Sequence, residues 1–487
     1  MRTSANDALR TDTAGNFQSS AAVLWLALSW AAVSIVLVIT RDASLGFEQA
    51  VMGVIIAGAG LFPMGQYLLR PLDEQPVFPL LPLVAIYYGV FFGLSVFLVS
   101  NQIDNIGEIR SYNHVRLREI DPTIQLFVLT AMAAMYAGWL TVSRRLARFV
   151  PQIPFAEPSN VHVLILAYWS LALISLVYMH VPLLRQLPSI GQFIQPAGFV
   201  AMAGFGILYF RGQLPRGLVV GYFFVYLPIW LLTALLTSFL TPIVLSIILI
   251  GALYMRIRGR EPVLAMAVAV FVVVAIYPGS QHYRQFFAIF TSAGSMPDGL
   301  SNVVRSVAFV YTDASQRRSR WFGLSQRLTS IVTLNIVANK SPLEVPYWRG
   351  ATYAPLMTST IPRVLWPGKP REVFGGKFGH RYGLIPESDS VTSLNIPWLT
   401  EAYANFGLFG GITVMFLIGV CLALLRRLLG RTRDRVAAGS VAVALLLPLA
   451  FPESNFSLMT GSLPMQILSF WVFFKIVALV SARWASA

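Results

Sequence analysis

The chain has 487 residues, of which 56% are hydrophobic and only 12% charged, with a mean hydropathy of +0.67 and a formal net charge of +15. Soluble domains carry about 25% charged residues, so this composition excludes a soluble globular enzyme and indicates a polytopic membrane protein. The single cysteine, Cys421, lies in an apolar run and excludes an intramolecular disulfide framework; the positive charge sits in loops and needs no nucleic acid to explain it.

The first 20 residues are polar and mixed in charge, and the next apolar run is a full spanning length, so no cleaved leader is expected. A helix crosses a bilayer with about 20 apolar residues. That window predicts 12 spans, near 21–40, 49–69, 77–100, 122–143, 160–180, 194–210, 217–236, 239–255, 262–278, 402–425, 436–452 and 463–482. Pro196 and three glycines interrupt the sixth, and the eleventh is short. Lysine and arginine in short loops set orientation. With the N-terminus inside, cytoplasmic loops and termini hold 17 of them and the opposite short loops hold 5. Both termini are therefore expected in the cytoplasm. No internal repeat is visible. The expected organisation is a single membrane domain, 1–487, with a large external insertion at 279–401 between the ninth and tenth spans. Lys475, inside the last span, is expected to snorkel or pair.

The 279–401 segment holds 13 Lys/Arg against 7 acids, on the face where short loops avoid positive charge. Long loops translocate regardless of charge, so a solvated surface is the plain reading. An anionic ligand is the sharper one. Ten of the 13 cations are arginine, whose planar fork binds phosphate bidentately, and a diphosphate matches several of them converging. HYRQFFAIF (282–290), after the Pro278–Gly279 break, reads as interfacial and carries Arg284. TDASQRRSRW clusters Arg317, Arg318 and Arg320, with Thr312 or Asp313 as a candidate N-cap. Residues 322–338 place Leu324, Leu328, Ile331, Val332 and Ile336 at helical spacing, the pattern of an amphipathic helix on the membrane or the bundle. In 361–384, five cations (Arg363, Lys369, Arg371, Lys377 and Arg381) and His380 share a stretch in which three prolines bar a regular helix. Trp366 there suits an interfacial anchor. Gly375, Gly376 and Gly379 allow close backbone approach.

IPRVLWPGKP (361–370), followed by LNIPWLTEAYANFGLFGGITVMFLIGV (394–420), resembles bacterial oligosaccharide repeat-unit polymerases, the O-antigen polymerase (Wzy-like) family. The resemblance covers about 60 residues by motif, together with the layout of many spans and one large external loop. It implies an all-α, GT-C-like membrane architecture in the bacterial inner membrane, with the active site on the periplasmic side. It also implies a reaction, in which a chain on undecaprenyl diphosphate moves to the non-reducing end of a new lipid-linked unit and the lipid diphosphate leaves. The expected partners are undecaprenyl-diphosphate-linked oligosaccharides, the bilayer and a chain-length regulator; no cofactor is expected.

The leaving diphosphate gathers negative charge, which fixed cations stabilise. Arg363, Lys369, Arg371, Lys377 and Arg381 are the candidates, with Arg284, Arg317, Arg318 and Arg320 in support. The five histidines are scattered and no acid pair has DxD form, so no metal is expected. A base must take the acceptor proton. Glu401, at the mouth of the tenth span, is the first candidate; His380, Asp389 and Glu453 are the others. For Glu401, a helix N-terminal charge is the plain alternative. Trp366, Tyr403, Asn405, Glu453 and Asn455 are candidates for sugar contacts. Two other readings stay open: an O-antigen ligase or another lipid-phosphate-sugar glycosyltransferase, and a transporter or flippase. Transporters place broken helices and charge at mid-membrane in two related halves, whereas here the charge is concentrated in one insertion.

Overall fold

The structure, a computed structural model, describes residues 46–71, 74–98, 120–181, 183–184, 191, 194–236, 240–260, 262–284, 296–313, 324, 327–361, 365–369, 374–389, 392–430 and 435–486. The span expected at 21–40 lies outside them, as do Arg317, Arg318, Arg320, Arg363 and Arg371. Among the described residues all regular structure is helical, and nine helices are long and apolar enough to cross a membrane.

Helices stand at each of the other 11 expected spans: α1 (Phe47–Leu68), α2 (Leu80–Leu98), α3 (Pro122–Thr141), α4 (Val161–His180), α5 (Ala197–Phe210), α6 (Arg216–Leu236), α7 (Thr241–Arg258), α8 (Val263–Tyr283), α13 (Trp398–Leu429), α14 (Val436–Leu446) and α16 (Leu463–Ser486). Between α8 and α13 come α9 (Met296–Thr312), α10 (Ser330–Lys340), α11 (Pro355–Ser359) and α12 (Phe374–Arg381); α15 (Phe456–Thr460) precedes α16. At 1.5 Å per residue, α5 with 14 residues and α14 with 11 are shorter than a hydrocarbon core of about 30 Å.

Four boundaries differ from expectation, each for a local reason. The break expected at Pro278–Gly279 is absent, and α8 continues to Tyr283 with Pro278 inside it. Proline removes one backbone bond, which membrane helices tolerate when neighbours pack closely, and Gly279 lies directly against Val307 of α9. Thr312 closes α9 rather than opening a helix, its hydroxyl donating to the Ala308 carbonyl at 2.9 Å. The amphipathic helix expected over 322–338 is broken rather than continuous: Leu324, Arg327 and Leu328 are helical, Thr329 is not (ψ 56°), and α10 starts after it, burying Ile331, Leu334, Asn335, Ile336 and Val337. The tenth span starts at Trp398, not 402, and is two helical segments joined at Gly407.

The chain forms two compact units. The first takes its described residues from Met1–Ile153, Leu328–Arg431 and Pro448–Met465. Helices in lipid gain little from apolar burial against one another, so close backbone contact through small residues carries their packing. Here α1 and α2 meet through Gly53, Ala57 and Gly60 against Gly89 and Gly93; a Cβ on Gly60 would lie 2.7 Å from the Ala85 carbonyl oxygen. α3 and α13 meet where Gly138 rests on the Phe416 carbonyl and Gly419 on the Met135 carbonyl. Asp121 caps α3 by accepting from the Thr123 amide at 2.8 Å, with Pro122 at the first helical position.

The second unit takes its described residues from Pro154–Arg327, Thr432–Leu447 and Gln466–Ala487. Glu157 accepts from the backbone amides of Val436 at 2.7 Å and Ala437 at 3.1 Å, which satisfies the first donors of α14. The Tyr168 and Ser440 hydroxyls meet at 2.9 Å. Lys475 lies over the Trp471 ring, 4.8 Å from its centroid.

Candidate functional site

In the first unit, the segment from the end of α10 to α12 is held against the first turns of α13. Lys340 Nζ donates to the Tyr382 carbonyl at 2.8 Å, and the Ser341 and Tyr382 hydroxyls meet at 2.9 Å. The backbone amides of Trp348 and Arg349 donate to the carbonyls of Ala404 and Asn405 at 3.0 and 3.1 Å. These two bonds align residues 348–349 with the start of α13.

Glu401 and Asn405 lie four residues apart and so share one helix face. Both are buried, each with 1% of its surface exposed. Asn405 Oδ1 accepts from the Gly350 amide at 2.8 Å, while its Nδ2 donates to Thr352 Oγ1 and the Glu401 carbonyl, each at 2.8 Å. Glu401 Oε2 accepts from the Phe456 amide at 2.7 Å, at the start of α15. The same junction is closed from its other side. Asn455 Nδ2 donates to Ser457 Oγ, which donates to the Thr352 carbonyl, both at 2.8 Å. Glu-x-x-x-Asn thus ties three chain segments together: 349–352, the start of α13 and 455–457.

Gly407 completes this arrangement. Its backbone (φ 66°, ψ −158°) belongs to a region open almost only to glycine, and a Cβ there would stand 2.6 Å from Tyr347 Oη. Tyr403 packs edge-on against Phe127 at 5.1 Å and Tyr347 at 6.5 Å. Its ring is a packing element between them. The Tyr353 ring stacks on Phe406 at 6.3 Å. Burial, with Glu401 and then Tyr88 nearby, holds the Tyr353 phenol well above its ordinary pKa. It is a neutral hydroxyl, not a base, at any physiological pH.

The cations divide. The Arg381 guanidinium lies over the Trp348 ring, 4.3 Å from the centroid, and donates to the Pro346 carbonyl. His380 beside it is part-exposed, with Nδ1 buried and without a hydrogen-bond partner among the described residues. Lys377 is exposed on α12. Lys369 Nζ donates to the carbonyls of Ser359 at 3.1 Å and Ile361 at 3.0 Å, closing the turn that contains exposed Trp366. Asp389 accepts from the Thr392 amide at 2.9 Å and its hydroxyl at 2.6 Å, a local loop closure. Glu453 is part-exposed in the turn before α15. Arg284 ends α8, in the second unit.

The first unit therefore joins Arg381, with His380 beside it in the chain, through Trp348 to the Tyr403–Asn405 turn, and joins that turn to Glu401 and Asn455. Lys340, Trp348, Arg349, Thr352 and Tyr353 are not among the residues the sequence marks for this role. The signal for most of them is the run YWRGATY (347–353), dense in aromatics around an Arg-Gly pair.

Among the described residues, nine long apolar helices define a polytopic helical membrane protein. The chain belongs to the family described as a domain of unknown function, DUF8712, which matches residues 62–430, more than half of its length. No curated protein and no solved structure matches it.

Proposed function

We propose that the protein is a membrane glycosyltransferase that polymerises oligosaccharide repeat units carried on undecaprenyl diphosphate, with its reactive face on the periplasmic side of the bacterial inner membrane. The observation that carries this reading is Arg381 stacked on Trp348, with His380 adjacent, on a loop bonded to the Glu401–Asn405 turn. A guanidinium already held over an indole and bonded to a backbone carbonyl loses less rotamer freedom when its remaining N–H groups bind a phosphate. The motif resemblance at 361–370 and 394–420 supplies the reaction class.

In this reading Arg381, with Lys377 and the other cations of 361–384, stabilises the departing lipid diphosphate. His380 is the group that takes the proton of the acceptor hydroxyl, because it is part-exposed beside Arg381 whereas Glu401 is interior and already holds the Phe456 amide. The glycosidic bond forms between the donor's anomeric carbon and the acceptor oxygen as the bond to the diphosphate oxygen breaks, inverting the centre without a metal.

Extension of purified lipid-linked units by the purified protein tests the reading. The sidedness has its own test. A reporter enzyme active only outside the cytoplasm, fused after residue 345, is expected to be active. A silent reporter there, with an active cytoplasmic reporter at the same site, inverts the topology.

A further inference from the structure

Among the described residues, Arg349 is the one non-glycine residue with a left-handed backbone, φ 51°, and Gly350 follows at φ 88°. The Ala351 amide donates to the Trp348 carbonyl at 3.0 Å, so residues 348–351 form a tight turn with two left-handed central residues. Such a type I′ turn ordinarily takes Asn, Asp or Gly at its first central position. A long side chain there is disfavoured and persists where the surroundings impose it, often at sites of function. The surroundings do impose it, through the amides of Trp348, Arg349 and Gly350 bonded to Ala404 and Asn405.

The strain gains nothing from burial. The Arg349 side chain is exposed and has no carboxylate partner among the described residues. The preceding residue, Trp348, carries the Arg381 guanidinium on its ring. Arg349 is thus the chain neighbour of the indole that carries Arg381, and its backbone is fixed in a turn bonded to the start of α13.

We propose that Arg349 is an anion-binding residue whose ligand is the phosphate of the lipid-linked donor. This assignment rests on the glycosyltransferase reading above and adds to it a residue outside the 361–384 stretch. It accounts for arginine standing where glycine would relieve strain.

The test uses the purified full-length chain in nanodiscs of zwitterionic phosphatidylcholine, titrated with farnesyl diphosphate and followed by tryptophan fluorescence and thermal melting. The wild type is expected to bind. Arg349→Gly is expected to melt at or above the wild-type temperature, since glycine suits the turn, while its Kd rises at least tenfold. Arg349→Lys, a point charge without the fork, is also expected to bind more weakly. If phosphatidylglycerol nanodiscs alone give the same Arg349-dependent signal, the anion-binding role stands with a headgroup as its source. If Arg349→Gly binds like the wild type, this assignment fails and the glycosyltransferase reading survives. A lower melting temperature for Arg349→Gly makes Arg349 structural. If the wild type binds neither farnesyl diphosphate nor the anionic lipid, both fall.

Discussion

Glu401→Ala is expected to strip the protein of much of its stability, by about 2–4 kcal/mol, because it leaves the buried Phe456 amide without an acceptor and a void beside it. Glu401→Gln keeps an oxygen in the same place to accept that bond. It is expected to melt close to the wild type and to retain chain extension. Melting of the detergent-purified variants, read beside their activity, separates the two roles that a glutamate at this position can have. A stable but inactive Glu401→Gln would restore Glu401 as the base. A stable and active one leaves it as the clamp between α13 and α15.

Asn405→Ala is expected to cost at least as much. One side chain accepts from Gly350 and donates to Thr352 and to the Glu401 carbonyl, in a place where water cannot substitute. At about 1 kcal/mol for each lost bond, and more for each group left buried and unpaired, a loss of about 3 kcal/mol follows. Asn405→Asp keeps the acceptor for Gly350 and removes both donors, so it too is expected to melt below the wild type. Unchanged melting for both variants would show that the 349–352 loop is held by the backbone bonds at Trp348 and Arg349 alone.

The spans are largely legible because a run of about 20 apolar residues is the length a helix needs to cross the bilayer core and exceeds what most buried soluble helices use; among the described residues nine of the 11 expected spans have helices of that length, and α5 and α14 are shorter. The boundaries are less so. Pro278 and Gly279 are strong local breakers, yet the helix passes through them because a neighbouring helix packs on Gly279. That information lies some 28 residues away, at Val307. The Gly407 kink is hidden for a related reason, since a glycine within an apolar helix has no local mark that distinguishes tight packing from a left-handed backbone.

The candidate site is legible in its components and not in its pairing. Glu401 and Asn405, four residues apart at a helix start, stand out as polar groups facing one way. Nothing local says that their partners are Phe456 and the Gly350–Thr352 turn, which are distant in sequence. Lys369 and Asp389 illustrate the converse. Both are attractive by residue type, and both bond to backbone or side-chain groups a few residues away. Among the described cations of the 361–384 stretch, Arg381 is the one that lies over an aromatic ring. YWRGATY, which supplies it, signals itself by aromatic density around an Arg-Gly pair, but nothing local names the distant cation that it receives.

The most direct measurement is extension of lipid-linked repeat units by the purified chain, with products resolved by length and released lipid diphosphate counted in the presence of a metal chelator. The expected result is a ladder of products, with one lipid diphosphate freed for each unit added. Arg381→Ala is expected to slow extension at least roughly 30-fold, the equivalent of about 2 kcal/mol, while the protein remains folded. A wild-type chain that binds the lipid-linked unit, yields no product longer than it and releases no diphosphate would contradict the account.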